Sequence, residues 1–213
     1  MRQLKNATAA AFLLIAGLAA SGGARAGAQM YEPLSASVRA TLYKAVSDQA
    51  APHLAFSTDP EARAWLAAMS RRLEKRMEDR TAREDFLVTV HYEARRAGLD
   101  PQLVLGLIQV ESNFRKYAVS SAGARGYMQV MPFWIKLVGA AEHNLFHLRT
   151  NLRYGCVILR HYLDVENGNL FRALGRYNGS LGQAEYPNLV LNAWQKNWSY
   201  PVRTAAAGRD GHS

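Results

Sequence analysis

Apolar residues recur every three or four positions along most of the chain, the spacing that places them on one face of a helix. Val38, Leu42 and Val46 follow this spacing, and Asp-Pro pairs at 59–60 and 100–101 are typical of an N-cap followed by proline in the first helical turn. No run alternates apolar and polar residues as a half-buried strand does. The chain therefore predicts an all-α fold, with helices near 35–51, 59–77, 83–97, 100–112, 128–138, 152–165, 169–175 and 186–197.

The first 26 residues have the order of a secretory signal peptide. Arg2 and Lys5 precede an apolar run over residues 7–20, and the tripeptide Ala24-Arg25-Ala26 follows as an A-x-A cleavage site. The apolar run is shorter than the roughly 20 residues that a membrane span needs. We therefore expect cleavage after Ala26 and export to the periplasm; an uncleaved N-terminal anchor is the alternative.

The composition is that of an ordinary folded protein, with 49% hydrophobic and 20% charged residues among 213, which excludes a disordered or collagen-like chain. The formal charge is +9, and it falls to +6 without the signal peptide, because three of the 26 basic side chains and none of the 17 acidic ones lie there. A basic protein favours a polyanionic partner, and export argues against nucleic acid. Cys156 is the sole cysteine, which excludes an internal disulfide.

One carboxylate lies where an apolar side chain would be expected. Val104, Leu107 and Ile108 form the apolar stripe of the helix near 100–112, and Glu111 continues that stripe at the helix C-terminus. Burial raises the pKa of a carboxyl group, and the negative end of the helix dipole acts in the same direction. The pattern therefore predicts a carboxyl whose charged form is disfavoured.

Two interpretations of Glu111 remain open from spacing alone. In the first, the side chain lies at the rim of the core and pairs with Arg115 or Arg125. In the second, it is held protonated near neutral pH as a general acid, the adjustment of pKa that glycoside cleavage requires.

Three sequence blocks follow one another in the second half of the chain. Glu111-Ser112 closes a helix, residues 126–132 read Gly-Tyr-Met-Gln-Val-Met-Pro, and residues 176–179 read Arg-Tyr-Asn-Gly. In this order and spacing they resemble the soluble-type lytic transglycosylases, a lysozyme-like family that cuts peptidoglycan. Tyr127 stands where the family usually has Leu, and Arg176 where it usually has Ala; neither departure removes a polar catalytic group.

The resemblance covers about residues 83–200 and implies a lysozyme-like transglycosylase domain there. The expected organisation is a signal peptide over 1–26, an additional N-terminal helical segment over 27–82, this domain, and a tail over 201–213 whose alanines and glycines predict disorder. No activity is assigned to residues 27–82.

The resemblance also implies a role for individual residues. Glu111 would be the catalytic general acid and then the base, and Tyr177 and Asn178 would close the cleft and hydrogen-bond Glu111 or the sugar. Gln129 would reach the substrate or orient the site, and Gly126 would allow close approach to the groove. The full set of expected glycan-binding residues is Ser120, Gly126, Gln129, Met131, Tyr177, Asn178 and Tyr186. For each of them an ordinary structural role is the alternative.

The activity implied by the resemblance is cleavage of the bond between N-acetylmuramic acid and N-acetylglucosamine with formation of a 1,6-anhydro end. Peptidoglycan glycan strands would be the partner, a further cell-envelope or secretion-machinery partner stays open, and no cofactor or metal is implied. Two alternatives remain: a hydrolytic muramidase of the same fold, and a peptidoglycan-binding module without turnover.

Overall fold

The computed structural model of the protein describes residues 29–47, 50–56 and 58–201. The predicted signal peptide and nearly all of the predicted tail lie outside these residues. The described part consists of helices and irregular segments, with two isolated antiparallel bridges, Val119 with Arg125 and Arg125 with Val130, in place of a sheet. This confirms the predicted all-α fold with additional helices ahead of the main domain. The elements are α1 (Ala36–Val46), α2 (Asp59–Leu73), α3 (Arg80–Arg96), α4 (Pro101–Ser112), α5 (Phe133–Val138), α6 (Leu148–Val165), α7 (Leu170–Asn178), α8 (Glu185–Ala193) and a π-helix (Trp194–Trp198).

Side-chain caps explain where several of these helices begin. Asp100 caps α4 as predicted, because its carboxylate accepts a hydrogen bond from the Gln102 N–H and Pro101 follows in the first turn. At α2 the prediction is wrong by one residue. Thr58, not Asp59, is the N-cap, and its hydroxyl accepts from the Glu61 N–H. Asp59 is instead the first helical residue, where its charge favours the positive helix end.

Helix α4 lies at the centre of the core, packed between α3, α8 and the π-helix. Its residues from Pro101 to Ile108 are all buried. The helices of the N-terminal segment cover this core from outside. Helix α1 packs on α5 and α6, and α2 packs on α3 and buries Trp65, Met69 and Leu73. Within the described ranges, no helix has both the length and the apolar character that a membrane crossing requires.

An ion-pair cluster links the N-terminal segment to the core. The Glu93 carboxylate of α3 is fully buried and lies 3.0 Å from the Arg153 guanidinium of α6 and 3.1 Å from that of Arg96. Arg153 also donates to the Val46 carbonyl oxygen at the end of α1, 3.2 Å away. A buried carboxylate is tolerated only when it is paired in this way, so Glu93 holds α1, α3 and α6 in one arrangement.

The predicted helix over 128–138 is wrong in its first turn, because α5 begins only at Phe133. The backbone of Gln129 has a φ of 48°, which no α-helix accommodates. Arg125 and Val130 instead exchange two backbone hydrogen bonds of 3.0 Å, so that residues 125–130 form a tight turn. Pro132 is then the N-cap of α5. Proline has no N–H, but an N–H at this position would have no acceptor within the helix, so no helical hydrogen bond is lost.

Candidate active site

Glu111 lies in the last turn of α4, with 7% of its surface exposed. The burial predicted from the Val104, Leu107 and Ile108 stripe is therefore present in the fold. Burial raises the pKa of the Glu111 carboxyl to about 8, and a hydrogen bond from the Tyr186 hydroxyl opposes this. Tyr186 is supplied by α8, which packs directly against α4. A carboxyl with this pKa is largely protonated at neutral pH.

Neither arginine considered as a partner for Glu111 pairs with it. The Arg115 guanidinium donates to the Ser112 carbonyl oxygen at 3.0 Å. The Arg125 guanidinium lies 5.9 Å from the centre of the Phe146 ring. In the part of the chain that the structure describes, the hydrogen-bond partner of the Glu111 carboxylate is Tyr186. This arrangement favours the second interpretation, a buried acid, over a rim carboxylate held in an ion pair.

The segment after α4 is attached to the end of that helix. Ser112, the residue after Glu111, is buried, and its hydroxyl donates to the Tyr127 carbonyl oxygen at 2.7 Å. The Gln129 backbone has a left-handed conformation, and its side-chain amide donates to the carbonyl oxygens of Ala118 (3.1 Å) and Gly126 (2.9 Å). Gln129 is only 1% exposed. This geometry favours the orienting role over direct contact with the substrate, and both stay predictions.

A buried asparagine holds the turn over residues 125–130 in place. The Asn151 side chain on α6 accepts from the Met128 N–H and donates to the carbonyl oxygens of Arg125 and Leu145, each at 2.8 Å. Sequence reasoning missed this residue, although the signal was present: Asn151 falls on the same buried face of α6 as Tyr154 and Ile158. The same pattern, a polar residue on the apolar stripe of a helix, is the one by which the sequence analysis identified Glu111.

Gly126 packs against this asparagine, and its expected role at the groove stays a prediction. Its φ is 75°, and a Cβ at this position would lie 2.4 Å from the Asn151 side-chain nitrogen and 2.6 Å from the Leu145 carbonyl oxygen. Such distances exclude any side chain without rearrangement. The absence of a Cβ at Gly126 therefore allows the turn over residues 125–130 to pack against Asn151.

The block at 176–179 closes α7 beside the same turn. Tyr177 is fully buried, and its hydroxyl donates to the Met128 carbonyl oxygen at 2.7 Å, which differs from the expected bond to Glu111 or sugar. Asn178 donates to the Ser180 hydroxyl at 2.9 Å, while its side-chain oxygen is buried and has no hydrogen-bond partner among the described residues.

Two expected glycan-binding residues remain partly exposed. The Ser120 hydroxyl accepts from the Ala124 N–H at 3.1 Å and can still donate. Met131 is partly buried against the core, next to the turn that Asn151 holds. The structure thus brings Glu111 and Tyr186 into contact and places Gln129, Met131 and Tyr177 around one turn.

Tyr186→Phe should move the titration of Glu111 to higher pH. The Tyr186 hydroxyl donates to the carboxylate and so favours its charged form, which lowers the pKa that burial alone would set. Carbon-13 NMR of the labelled glutamate carboxyl would follow the titration directly. Tyr43→Phe, which removes a hydroxyl from the exposed face of α1, is the control. An unchanged Glu111 titration in Tyr186→Phe would contradict the assigned contact.

The chain is similar in sequence to known transglycosylases. A family model described as the transglycosylase SLT domain matches residues 89–189. The chain is 35% identical over 130 residues to the protein named Transglycosylase of Enterobacteria phage PRD1, a match that covers 56% of this chain and 48% of the phage protein.

Shorter matches are to proteins named Membrane-bound lytic murein transglycosylase C. The identity is 49% over 47 residues to the protein of Mannheimia succiniciproducens and 51% over 47 residues to that of Actinobacillus pleuropneumoniae serotype 5b. Each covers 22% of this chain and 13% of the relative. The chain spans less than half the length of these curated relatives. Residues 89–189, the part of the chain that is similar to the transglycosylase SLT domain, carry Glu111, Asn151 and Tyr186.

Proposed function

We propose that this chain is a lytic transglycosylase of peptidoglycan with Glu111 as its single catalytic carboxyl group. The observation that carries the proposal is the Glu111 carboxyl itself, buried at the end of α4 in contact with Tyr186 and with a pKa raised to about 8. A general acid works best when its pKa lies near the working pH. The names of the relatives support the choice of peptidoglycan as the substrate.

The proposed reaction uses Glu111 twice. Its proton goes to the glycosidic oxygen between N-acetylmuramic acid and N-acetylglucosamine as the C1–O bond breaks. The acetamido group of the substrate stabilises the positive centre that develops at C1. The Glu111 carboxylate then takes the proton of the muramyl C6 hydroxyl, whose oxygen bonds to C1. A 1,6-anhydro end forms, Glu111 regains its proton, and no water is consumed.

The surroundings of Glu111 favour a mechanism with one carboxyl group. Burial and Tyr186 are the influences on its pKa, and no other carboxylate is among them. Glu166 is paired with Arg172 and Arg176, which hold its pKa below the usual value, and Asp164 lies 2.6 Å from Arg160. A hydrolase with two carboxyl groups needs them within about 5–9.5 Å of each other across the bond.

Three further residues are proposed to contact the glycan. The Ser120 hydroxyl, which still has its proton to donate, would hydrogen-bond the sugar, and the half-buried Asn178 side chain would do the same. Met131 would pack against a sugar ring. Three other residues would act indirectly, because they hold the turn over 125–130 in place: Gln129, Gly126 and Tyr177.

Digestion of purified glycan strands tests the reaction. We expect products with anhydro ends, one water lighter than hydrolysis products and without a reducing muramic end, as seen by mass spectrometry and reductive labelling. Glu111→Gln should lower turnover by about 10²–10⁴-fold, the usual contribution of a general acid-base group, and should still bind sacculi.

Other outcomes of this assay separate the alternatives. Reducing muramic ends would identify a hydrolytic muramidase, and binding of sacculi without any turnover by the wild type would identify a binding module. Equal turnover by the wild type and Glu111→Gln would remove Glu111 from the mechanism.

We also propose that the chain acts in the cell envelope, exported by the predicted signal peptide with cleavage after Ala26. The relatives named as membrane-bound murein transglycosylases support an envelope location. The charge of +6 expected for the chain after cleavage would favour retention on the anionic cell wall.

A further inference from the structure

The segment ahead of α1 places a glutamine side chain in the turn that carries Met131. The Gln29 amide nitrogen donates to the Gln129 carbonyl oxygen, and the Gln29 amide oxygen accepts from the Met131 N–H, each at 3.0 Å. Gln29 is 3% exposed, although it precedes the first helix and its neighbour Met30 is 65% exposed. A side chain from a peripheral segment therefore fills an interior position with two directed hydrogen bonds.

Tyr177 relates this position to the proposed catalytic group. Burial raises the pKa of Tyr177 well above its usual value, the nearby Glu111 carboxylate raises it further, and a hydrogen bond with the Gln29 amide opposes both. The Tyr177 hydroxyl also donates to the Met128 carbonyl oxygen, in the same turn that Gln29 contacts. Gln29 therefore lies at the turn that packs against Tyr177, in the region whose electrostatics Glu111 influences.

The two backbone groups bound by Gln29 form a recognition site for an amide. A backbone N–H and a carbonyl oxygen two residues apart offer one donor and one acceptor on the same edge of the chain. The acetamido group carried by both sugars of peptidoglycan has the complementary pair, a carbonyl oxygen and an N–H. Gln29 therefore occupies hydrogen-bonding groups that suit the substrate of the proposed reaction.

The rest of the segment is held only at the surface. The Tyr31 ring meets the Phe133 ring edge-on, with centroids 5.7 Å apart, and Tyr31 is 61% exposed. Glu32 lies 2.7 Å from Arg176, with its side chain 48% exposed. Exposed ion pairs contribute little to stability, so these contacts allow the segment to leave without disturbing the core.

We propose that residues 29–32, the N-terminal strap, compete with the glycan for the amide site formed by the Gln129 carbonyl and the Met131 N–H. This inference rests on the proposed function, because it takes an N-acetylated sugar as the displacing ligand. The strap closes the site when no glycan is bound, and the acetamido group of a bound sugar replaces the Gln29 amide. Arg176, the departure from the family pattern, holds the strap through Glu32.

Binding of tetra-N-acetylchitotetraose to the full-length chain, measured by calorimetry, tests this competition without any turnover. A protein with the strap open in about one molecule in ten binds about tenfold more weakly than one that is always open. Gln29→Ala should therefore bind the oligosaccharide about tenfold more tightly than the wild type. Gln29→Glu should also gain affinity, because its carboxylate cannot donate to the Gln129 carbonyl.

The controls separate competition from a general change in the protein. Tyr43→Ala alters an exposed side chain of α1, outside the strap, and should leave the affinity unchanged. The fully deacetylated tetrasaccharide lacks the acetamido group and should bind wild type and Gln29→Ala equally. A thermal melt of each variant verifies that it is folded.

Three results would overturn the proposal: weaker binding in Gln29→Ala, unchanged binding, or no binding to any of the folded variants. The first would make Gln29 a substrate-binding residue, and the second would make it a structural one. The proposed reaction is tested separately, by the products of the glycan-digestion assay. The absence of anhydro products would overturn that reaction, whereas the competition is judged from binding affinity, so the two failures are distinguishable.

Discussion

Replacing Glu111 with Gln should raise the free energy of unfolding at pH 7 by about 3 kcal/mol while removing glycan cleavage. The reason is that the folded chain keeps this carboxyl mostly protonated at pH 7, whereas the unfolded chain ionises it. Burial at the end of α4 disfavours the charged form, and the pKa of Glu111 is raised to about 8. Glutamine is neutral at every pH, so its burial carries no such penalty.

The pH dependence has a defined sign and window. Below the unfolded pKa of about 4.3 the carboxyl is protonated in both states, and the wild type and Glu111→Gln should be equally stable. As the pH rises from there towards 8, the unfolded state loses its proton first, so the wild type loses stability relative to the variant. Above the folded pKa the difference should become constant.

Urea unfolding of both proteins between pH 4 and pH 9 measures this difference. Glu142→Gln, which neutralises an exposed carboxylate, is the matched control and should change the free energy of unfolding by no more than about 0.5 kcal/mol. A Glu111→Gln protein that is less stable than the wild type at pH 7 would make Glu111 a paired structural carboxylate, and the proposed acid would lose its physical basis.

Asn151→Ala should lower the free energy of unfolding by on the order of 3–5 kcal/mol, because it leaves two buried backbone groups without a partner. These are the Met128 N–H and the Leu145 carbonyl oxygen, each bonded to Asn151 at 2.8 Å. The Arg125 carbonyl oxygen loses its bond to Asn151 but keeps the one from the Val130 N–H. Asn151 is fully buried, and water cannot replace its side chain without entering the core.

The same substitution should lower glycan turnover under conditions where the protein is still folded. The turn over 125–130 that Asn151 holds carries Gln129 and borders Met131, so its release would misplace the proposed sugar site. Chemical denaturation and the digestion assay give the two readouts. Asn192→Ala, an exposed asparagine on α8, is the control and should affect neither. A stability loss below about 1 kcal/mol would show that the turn is held by other contacts.

The helices and the candidate acid were predictable because their signals are local. Helical spacing, the Asp100 cap and Pro101 give α4 its start, and the Val104, Leu107 and Ile108 stripe gives it a buried face. A carboxyl on that face is expected to be buried, since residues seven apart share one side of a helix. The sequence therefore predicted that the charged form of Glu111 is disfavoured, but the tertiary structure was needed to choose between a buried acid and a rim carboxylate paired with Arg115 or Arg125.

The directions of side chains in the turn over 125–130 depended on the tertiary structure. Gln129 was expected at the substrate or as an orienting residue, and only the contact between that turn and the loop at Ala118 decides that it points inward. The role of Asn151 depends on α6 lying against a turn more than 20 residues away in sequence. Gln29, about 100 residues from its partners Gln129 and Met131, carries no local signal at all. Every residue has a backbone carbonyl, and nearly every residue has a backbone N–H. A side chain that bonds to these groups therefore leaves no pattern in the sequence of its partner, and the spacing of residues cannot predict which segments come into contact.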